Sequence, residues 1–221
     1  MSLPIDSVPI LLAVGWLVRA PLVSREEGHE AITRAAWEGL ALAPEEQRAL
    51  IRGVRAPDVS LAGLLASTLP FAQRRHALRA WSGTTTIHAV RDVRAFLAAT
   101  HLAARALPDG RRRWQKFGEI LHCLQDSYSP AHVDRVGGQI VRMKHWGPLD
   151  GLRGGRVGRE HGFPSDRRDR AWKDGELTDE AQAAAAASRR YLEIATRQSA
   201  SSADEDASTR EFSAFLDGSI R

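Results

Sequence analysis

The chain has 221 residues, 43% of them hydrophobic and 26% charged, which fits one globular domain with a sizeable core. Its formal net charge of +4 comes almost wholly from arginine, Lys116, Lys144 and Lys173 being the lysines, and suits an anionic partner as well as a plain arginine-rich composition. Cys123 is the one cysteine, which excludes an internal disulfide and any multi-cysteine zinc site, and no apolar run reaches the ~18–20 residues of a membrane-spanning helix.

Residues 1–23 are an N-terminal apolar segment, densest at 8–18. Ala13-Val14-Gly15 has the small-x-small pattern of a signal-peptidase site, yet Asp6 is the only charge before Arg19, so the basic n-region is missing. Two readings stay open. Residues 1–15 are a signal peptide and the protein is secreted or periplasmic, or the segment packs into the fold of a cytoplasmic protein. Ser24 and Glu27 form a capping box that predicts a helix to about Leu42, carrying His29. Pro44-Glu45-Glu46 opens a second helix, which Gly53 is placed to end, leaving Asp58 in a loop.

Pro70 starts a further helix holding His76 and Arg79, and Ser82-Gly83 breaks it. A long helix follows from about Thr85 to Leu107, then a Pro108-Asp109-Gly110 turn, then a helix from about Arg112 to Ser127. Residues 134–170 read as irregular, glycine-rich and arginine-rich, and they hold His145 and His161. Thr178 caps a last long helix to about Arg197, followed by an acidic linker over 199–208 and a short amphipathic end. No strand pattern stands out, so the fold class is all-α, with one helical domain over 24–198 and a linker plus short helix over 199–221.

The richest chemistry lies in 117–135. On a helix, His122 and Asp126 share one face a turn apart. Pro130 ends that helix, and His132 follows where the chain has turned. Two imidazoles and a carboxylate converging at a helix end suit zinc. The competing reading is a polar helix with a satisfied histidine. His88 and His101, among Arg91, Arg94 and Arg105, read as solvated or capping histidines.

The order His29, Asp58 after Arg55-Ala56-Pro57, His76, then His122-x3-Asp126-x5-His132 resembles the zinc-dependent phospholipase C and single-strand-specific nuclease superfamily. The resemblance covers about residues 24–195, with its specificity concentrated in 117–135. It implies a helical bundle around two or three zinc ions. On that reading Asp58, His76, His122 and Asp126 hold one ion, Asp126 bridges to another that His29 binds, and His132 holds the remaining one. A later histidine with an acid would complete that last set. The family spacing is not kept there, and both His145 and His161 with Asp166 are candidates. The family also uses a tryptophan at a mature N-terminus as a ligand, a role open to Trp16 only if the chain is cut before it.

The resemblance implies a phosphoric ester hydrolase, most simply phospholipase C-like, using a metal-activated water, with Asp58 as the alternative base. A nuclease of the same superfamily is the nearest variant, and a non-catalytic helical module that has lost full metal binding is the reading from another class. The partners are then a phosphodiester, lipid or nucleic acid, and an anionic membrane surface. Arg135, Arg142, Arg153, Arg156, Arg159, Arg167 and Arg168 are placed to hold phosphates. Gln125, Asp134 and Tyr128 lie near enough in sequence to orient the imidazoles. The oligomeric state is not readable from the sequence.

Overall fold

The structure is a computed structural model and describes residues 28–59, 70–80, 83–108, 110–145, 171–197 and 202–221. Helix α1 spans Gly28–Trp37. It stops short of the expected Leu42 because Gly39 takes a left-handed backbone, φ +77°, that turns the chain away. The capping box before it lies outside the described residues.

Helix α2 spans Pro44–Val59, with Glu45 and Glu46 in its first turn. Glu46 also accepts the backbone N–H of Ala43 at 2.7 Å, supplying the N-terminal cap from inside. Contrary to the sequence expectation, the helix does not end at Gly53, and Asp58 lies on its last turn rather than in a loop. Gly53 serves packing instead of termination. A side chain there would land on the Gln115 carbonyl oxygen and come within 2.9 Å of the Gly118 Cα. Pro57, inside the helix, lacks the N–H that would close the bond to Gly53, so the final turn is loosened where Asp58 projects.

Pro70–His76 forms a 3-10 helix rather than the expected α-helix, and Ala77 follows at φ +49°. Helix α3, Thr86–Arg105, is capped by Thr85, whose hydroxyl accepts the His88 N–H at 3.3 Å. Thr85 Oγ1 also lies 3.1 Å from His88 Nδ1, so His88 is a capping histidine as read.

Helix α4, Gly110–Asp126, is the centre of the fold. Every residue from Ile120 to Ser127 is buried, apolar and polar alike. Only a helix walled in on all sides buries its whole circumference. α2 crosses it at Gly53 and Gly118, and α3 lies against it as well.

Residues expected to be irregular then form a hairpin, β1 (Val133–Val136) paired antiparallel to β2 (Gln139–Met143). Its two-residue turn is Gly137-Gly138, at φ +57° and +79°, the left-handed pair that a tight hairpin turn needs. A second small hairpin pairs β3 (Trp172–Lys173) with β4 (Glu176–Leu177). Helix α5, Asp179–Thr196, carries the expected Thr178 cap. Its alanine face meets α1, where Ile32 packs with Ala171, Ala181, Ala184 and Ala185.

Helix α6 covers Ser202–Ser219, so the expected linker over 199–208 is helical from Ser202. Phe212, Phe215, Leu216 and Ile220 join the same core as Leu50, Val93, Phe117 and Tyr191, which makes α6 part of the domain rather than a tail after it. The described residues are therefore mostly helical, with two small two-stranded sheets among them that the all-α expectation lacked.

That last packing also overturns the reading of His101. It is 1% exposed, stacked 4.3 Å from the Phe212 ring, with Nδ1 3.3 Å from the Tyr191 hydroxyl. Burial, with a smaller push from Arg105, holds its pKa down to about 4 against 6.5 for the ordinary group. The folded protein thus keeps His101 neutral, while the unfolded chain protonates it. The contribution is fully present above pH 6.5 and is lost as pH falls toward 4. Between pH 7 and 4.5 His101 should account for a loss on the order of 2–3 kcal/mol of stability. Denaturant melts of the wild type and His101→Leu at both pH values check this, and the variant should show a correspondingly shallower acid loss.

Candidate metal centre

Four segments deliver the predicted ligands to one place. α1 brings His29 in its first turn, α2 brings Asp58 in its last, the 3-10 helix ends on His76, and α4 presents His122 and Asp126 a turn apart. His132 enters at the start of the β1 hairpin, after Pro130 has stopped α4 from continuing. Six of the residues picked from sequence therefore converge.

Asp126 lies at the base, with its side chain 1% exposed. Its Oδ1 is 3.1 Å from His29 Nε2 and 3.6 Å from His132 Nε2. Its Oδ2 is 3.1 Å from His122 Nε2 and 3.4 Å from His76 Nδ1. Asp58 lies at the mouth, its side chain 33% exposed, and approaches three of the same rings: His29 at 3.9 Å, His76 at 3.7 Å and His122 at 3.8 Å. Two carboxylates thus face a triangle of imidazoles from opposite sides, with His132 added at the buried end.

The far nitrogens of these rings are tied to the scaffold. His122 Nδ1 lies 2.9 Å from the Val54 carbonyl oxygen and His132 Nδ1 2.6 Å from that of His76. A carbonyl only accepts, so each Nδ1 carries a hydrogen, and it is Nε2 of each ring that turns inward and is free to offer a lone pair to a metal. His29 Nδ1 is held at 2.9 Å by Gln125 Oε1. His76 alone faces the centre through Nδ1, 2.9 Å from His122 Nε2.

Lone pairs aimed at a buried carboxylate repel it unless a cation or protons lie between. The structure bears the mark of that need. Neither oxygen of Asp126 accepts a hydrogen bond of good geometry from the described residues, although four ring nitrogens surround them. Burial opposes charge on Asp126, but positive charge on the His132, His122 and His29 rings, when they carry the protons in place of a cation, holds its carboxyl well below the usual carboxylate range. Burial likewise opposes charge on His76, and the nearby carboxylates of Asp126 and Asp58 raise its pKa nonetheless. Two overlapping groups can hold a metal ion: His29, Asp58 and His122, and His76, His122 and Asp126. The residues fit a metal.

The other expectations stand apart from this group. His145 is buried, its Nδ1 3.1 Å from the Arg79 carbonyl oxygen, and it follows Lys144, whose N–H donates to the His132 carbonyl. Trp16, His161 and Asp166 lie outside the described residues, as do Arg153, Arg156, Arg159, Arg167 and Arg168. Of the three residues named to orient the imidazoles, Gln125 does so. Asp134 pairs instead with Lys144 Nζ at 3.0 Å, and Tyr128 packs 4.3 Å under the Arg135 guanidinium. Arg135 is no phosphate clamp, since it donates to the carbonyls of Ser127, Gly138 and Ser219 and so fastens the hairpin to the core. Cys123 is buried, its thiol aimed at the Arg74 carbonyl, and burial pushes its pKa up, so it packs rather than ligates.

Sequence reasoning missed Thr33 and Ser188, which hold Gln125, and the backbone oxygens that hold the rings. The backbone acceptors have no side-chain signature to read. An open groove of about 400 Å³ between Trp37 and Trp172 is also lined by Glu30, Arg34 and Glu38, on the side of α1 turned away from His29, and is separate from this centre.

No protein-family model matches the chain, and no curated protein or solved structure is significantly similar to it.

Proposed function

We propose that the protein is a zinc-dependent phosphoric ester hydrolase, most simply phospholipase C-like, and a divergent member of the phospholipase C and nuclease superfamily that its sequence resembles. One observation carries this reading. Imidazoles tethered through their outer nitrogens converge on Asp126, whose buried oxygens accept no hydrogen bond from the described residues. A mixed set of imidazoles and carboxylates with no thiolate suits zinc among the available divalent ions.

His29, His76, His122, Asp126 and Asp58 would hold the ions, with His132 at the buried end. Bound there, zinc would polarise a phosphoryl oxygen and bring the pKa of a water near neutrality. Asp58, the candidate carboxylate at the mouth among the described residues, would take the proton as the water oxygen bonds to phosphorus, and would pass it to the leaving alcohol as the bond from phosphorus to that alcohol breaks. Burial of Asp126 keeps solvent from competing at the base of the site.

Metal analysis of protein purified without chelator tests the reading, with about two zinc ions per chain as the expected result. Chelation should lower the melting temperature and abolish hydrolysis, and added zinc should restore both. Protein that carries no zinc and takes up none is a non-catalytic module, and the proposal is then wrong. Release of diacylglycerol from phospholipid is expected in preference to mononucleotides from single-stranded DNA, and the opposite preference makes the protein a nuclease.

A further inference from the structure

Gln125 sits on α4 between the ligand His122 and Asp126 yet points away from both, toward α1 and α5. It is 2% exposed. Its Oε1 meets His29 Nδ1 at 2.9 Å, while its Nε2 lies 2.9 Å from Thr33 Oγ1 and 3.3 Å from Ser188 Oγ. Thr33 and Ser188 are fully buried, so this polar chain runs through the interior of the protein. We propose that Gln125 is a positioning residue that sets the tautomer of His29, with Thr33 and Ser188 holding its amide in the required sense. This rests on the reading of His29 as a metal ligand.

The chemistry is a choice between two networks. With Oε1 toward His29, the imidazole carries its hydrogen on Nδ1 and presents the Nε2 lone pair 3.1 Å from Asp126, ready for a cation. With the amide reversed, the NH2 group would face Nδ1, the ring hydrogen would move to Nε2, and His29 would donate it to Asp126 instead of binding metal. Helical Thr and Ser hydroxyls commonly donate to the carbonyl a turn back, which leaves their lone pairs to receive an amide NH2. Two such hydroxyls on the Nε2 side favour the first network. The residue thereby links helix α5, which contributes no ligand from its described length, to the metal affinity of α1.

Zinc titration of the full chain, stripped by chelator and competed against a chromophoric indicator, reads the effect. Gln125→Leu should weaken one zinc site by about 10- to 100-fold, the usual cost of losing a partner that orients a ligating histidine. Gln125→Glu, which can only accept from Nδ1, should keep affinity within a few fold of wild type. If Gln125 served packing alone, a buried carboxylate would do at least as much harm as leucine, and that result overturns the proposal. So does a leucine variant that titrates like wild type. Nitrogen-15 NMR of metal-free wild type gives a second readout that needs no variant to fold. His29 protonated on Nδ1 is expected, and protonation on Nε2 overturns the proposal. Wild-type protein that binds no zinc would defeat the metal reading while the NMR result still decides the role of Gln125.

Discussion

Asp126→Asn should abolish zinc binding and hydrolysis together, with kcat/KM down by on the order of a thousandfold or more, while helical content is retained. The amide matches the carboxylate in shape, so the tight walls of α4 and its neighbours are not disturbed. It differs in charge and in having one oxygen. Whichever way it turns, its NH2 faces either His29 and His132 or His122 and His76, the two pairs that Asp126 now serves from separate oxygens. A buried ion held by imidazoles then lacks its counter-charge. Zinc content by elemental analysis and turnover of a phosphodiester at saturating zinc are the measurements. His122→Ala should behave alike, losing metal and activity in step, because its ring belongs to both groups able to hold an ion. Activity surviving either change would show that the site is assigned wrongly.

Gly118→Ala, like Gly53→Ala across the same crossing, is expected to be severely destabilising for a single added methyl group. A Cβ at Gly118 would land on the Leu50 carbonyl oxygen and come within 2.7 Å of Gly53 Cα and Val54 N. Those atoms are helix backbone, so α2 and α4 must separate rather than a side chain rotate. Overpacking of this kind costs about 3 kcal/mol, at the upper end of the usual range. The damage should also reach the metal. The Val54 carbonyl that orients His122 lies in the turn that would be displaced, and Asp58 is one turn further along the same helix. Equilibrium unfolding should show the destabilisation, and zinc titration of the protein that still folds should show weakened binding. A variant of wild-type stability would mean the two helices do not cross as closely as described.

Part of the candidate ligand set was legible from local rules, while His29, Asp58 and His76 came in only through the resemblance to a known family. Spacing of four placed His122 and Asp126 on one face, and Pro130 forced the turn before His132. Capping residues, apolar periodicity and the lack of a strong strand pattern suggested a helical domain. What failed depended on partners distant in sequence. Gly53 looked like a helix terminator because nothing local reveals that Gly118 will press against it. His101 looked solvated because Phe212, which covers it, arrives more than a hundred residues later on a helix whose start resembles a linker. The hairpin is a different kind of miss. Gly137-Gly138 between two short β-branched runs was a visible turn signal, but the strands are short and expose Val136 and Val141, so no alternation betrayed them.

The tethers that aim the rings have a thermodynamic consequence. The backbone of one ligand residue, His76, anchors the ring of another, His132, and the carbonyl of Val54, a turn before Asp58, anchors His122. Each anchor is made of protein and requires no ion. The geometry is therefore assembled by folding, and on the proposed reading metal uptake would be an ordinary binding event coupled to stability by mass action, not the trigger for folding that it is in a zinc finger. Such a centre spends little of its affinity on reorganising its donors. It also shares its errors, because a shift at His76 moves two rings at once, and substitutions among these residues should combine far from additively.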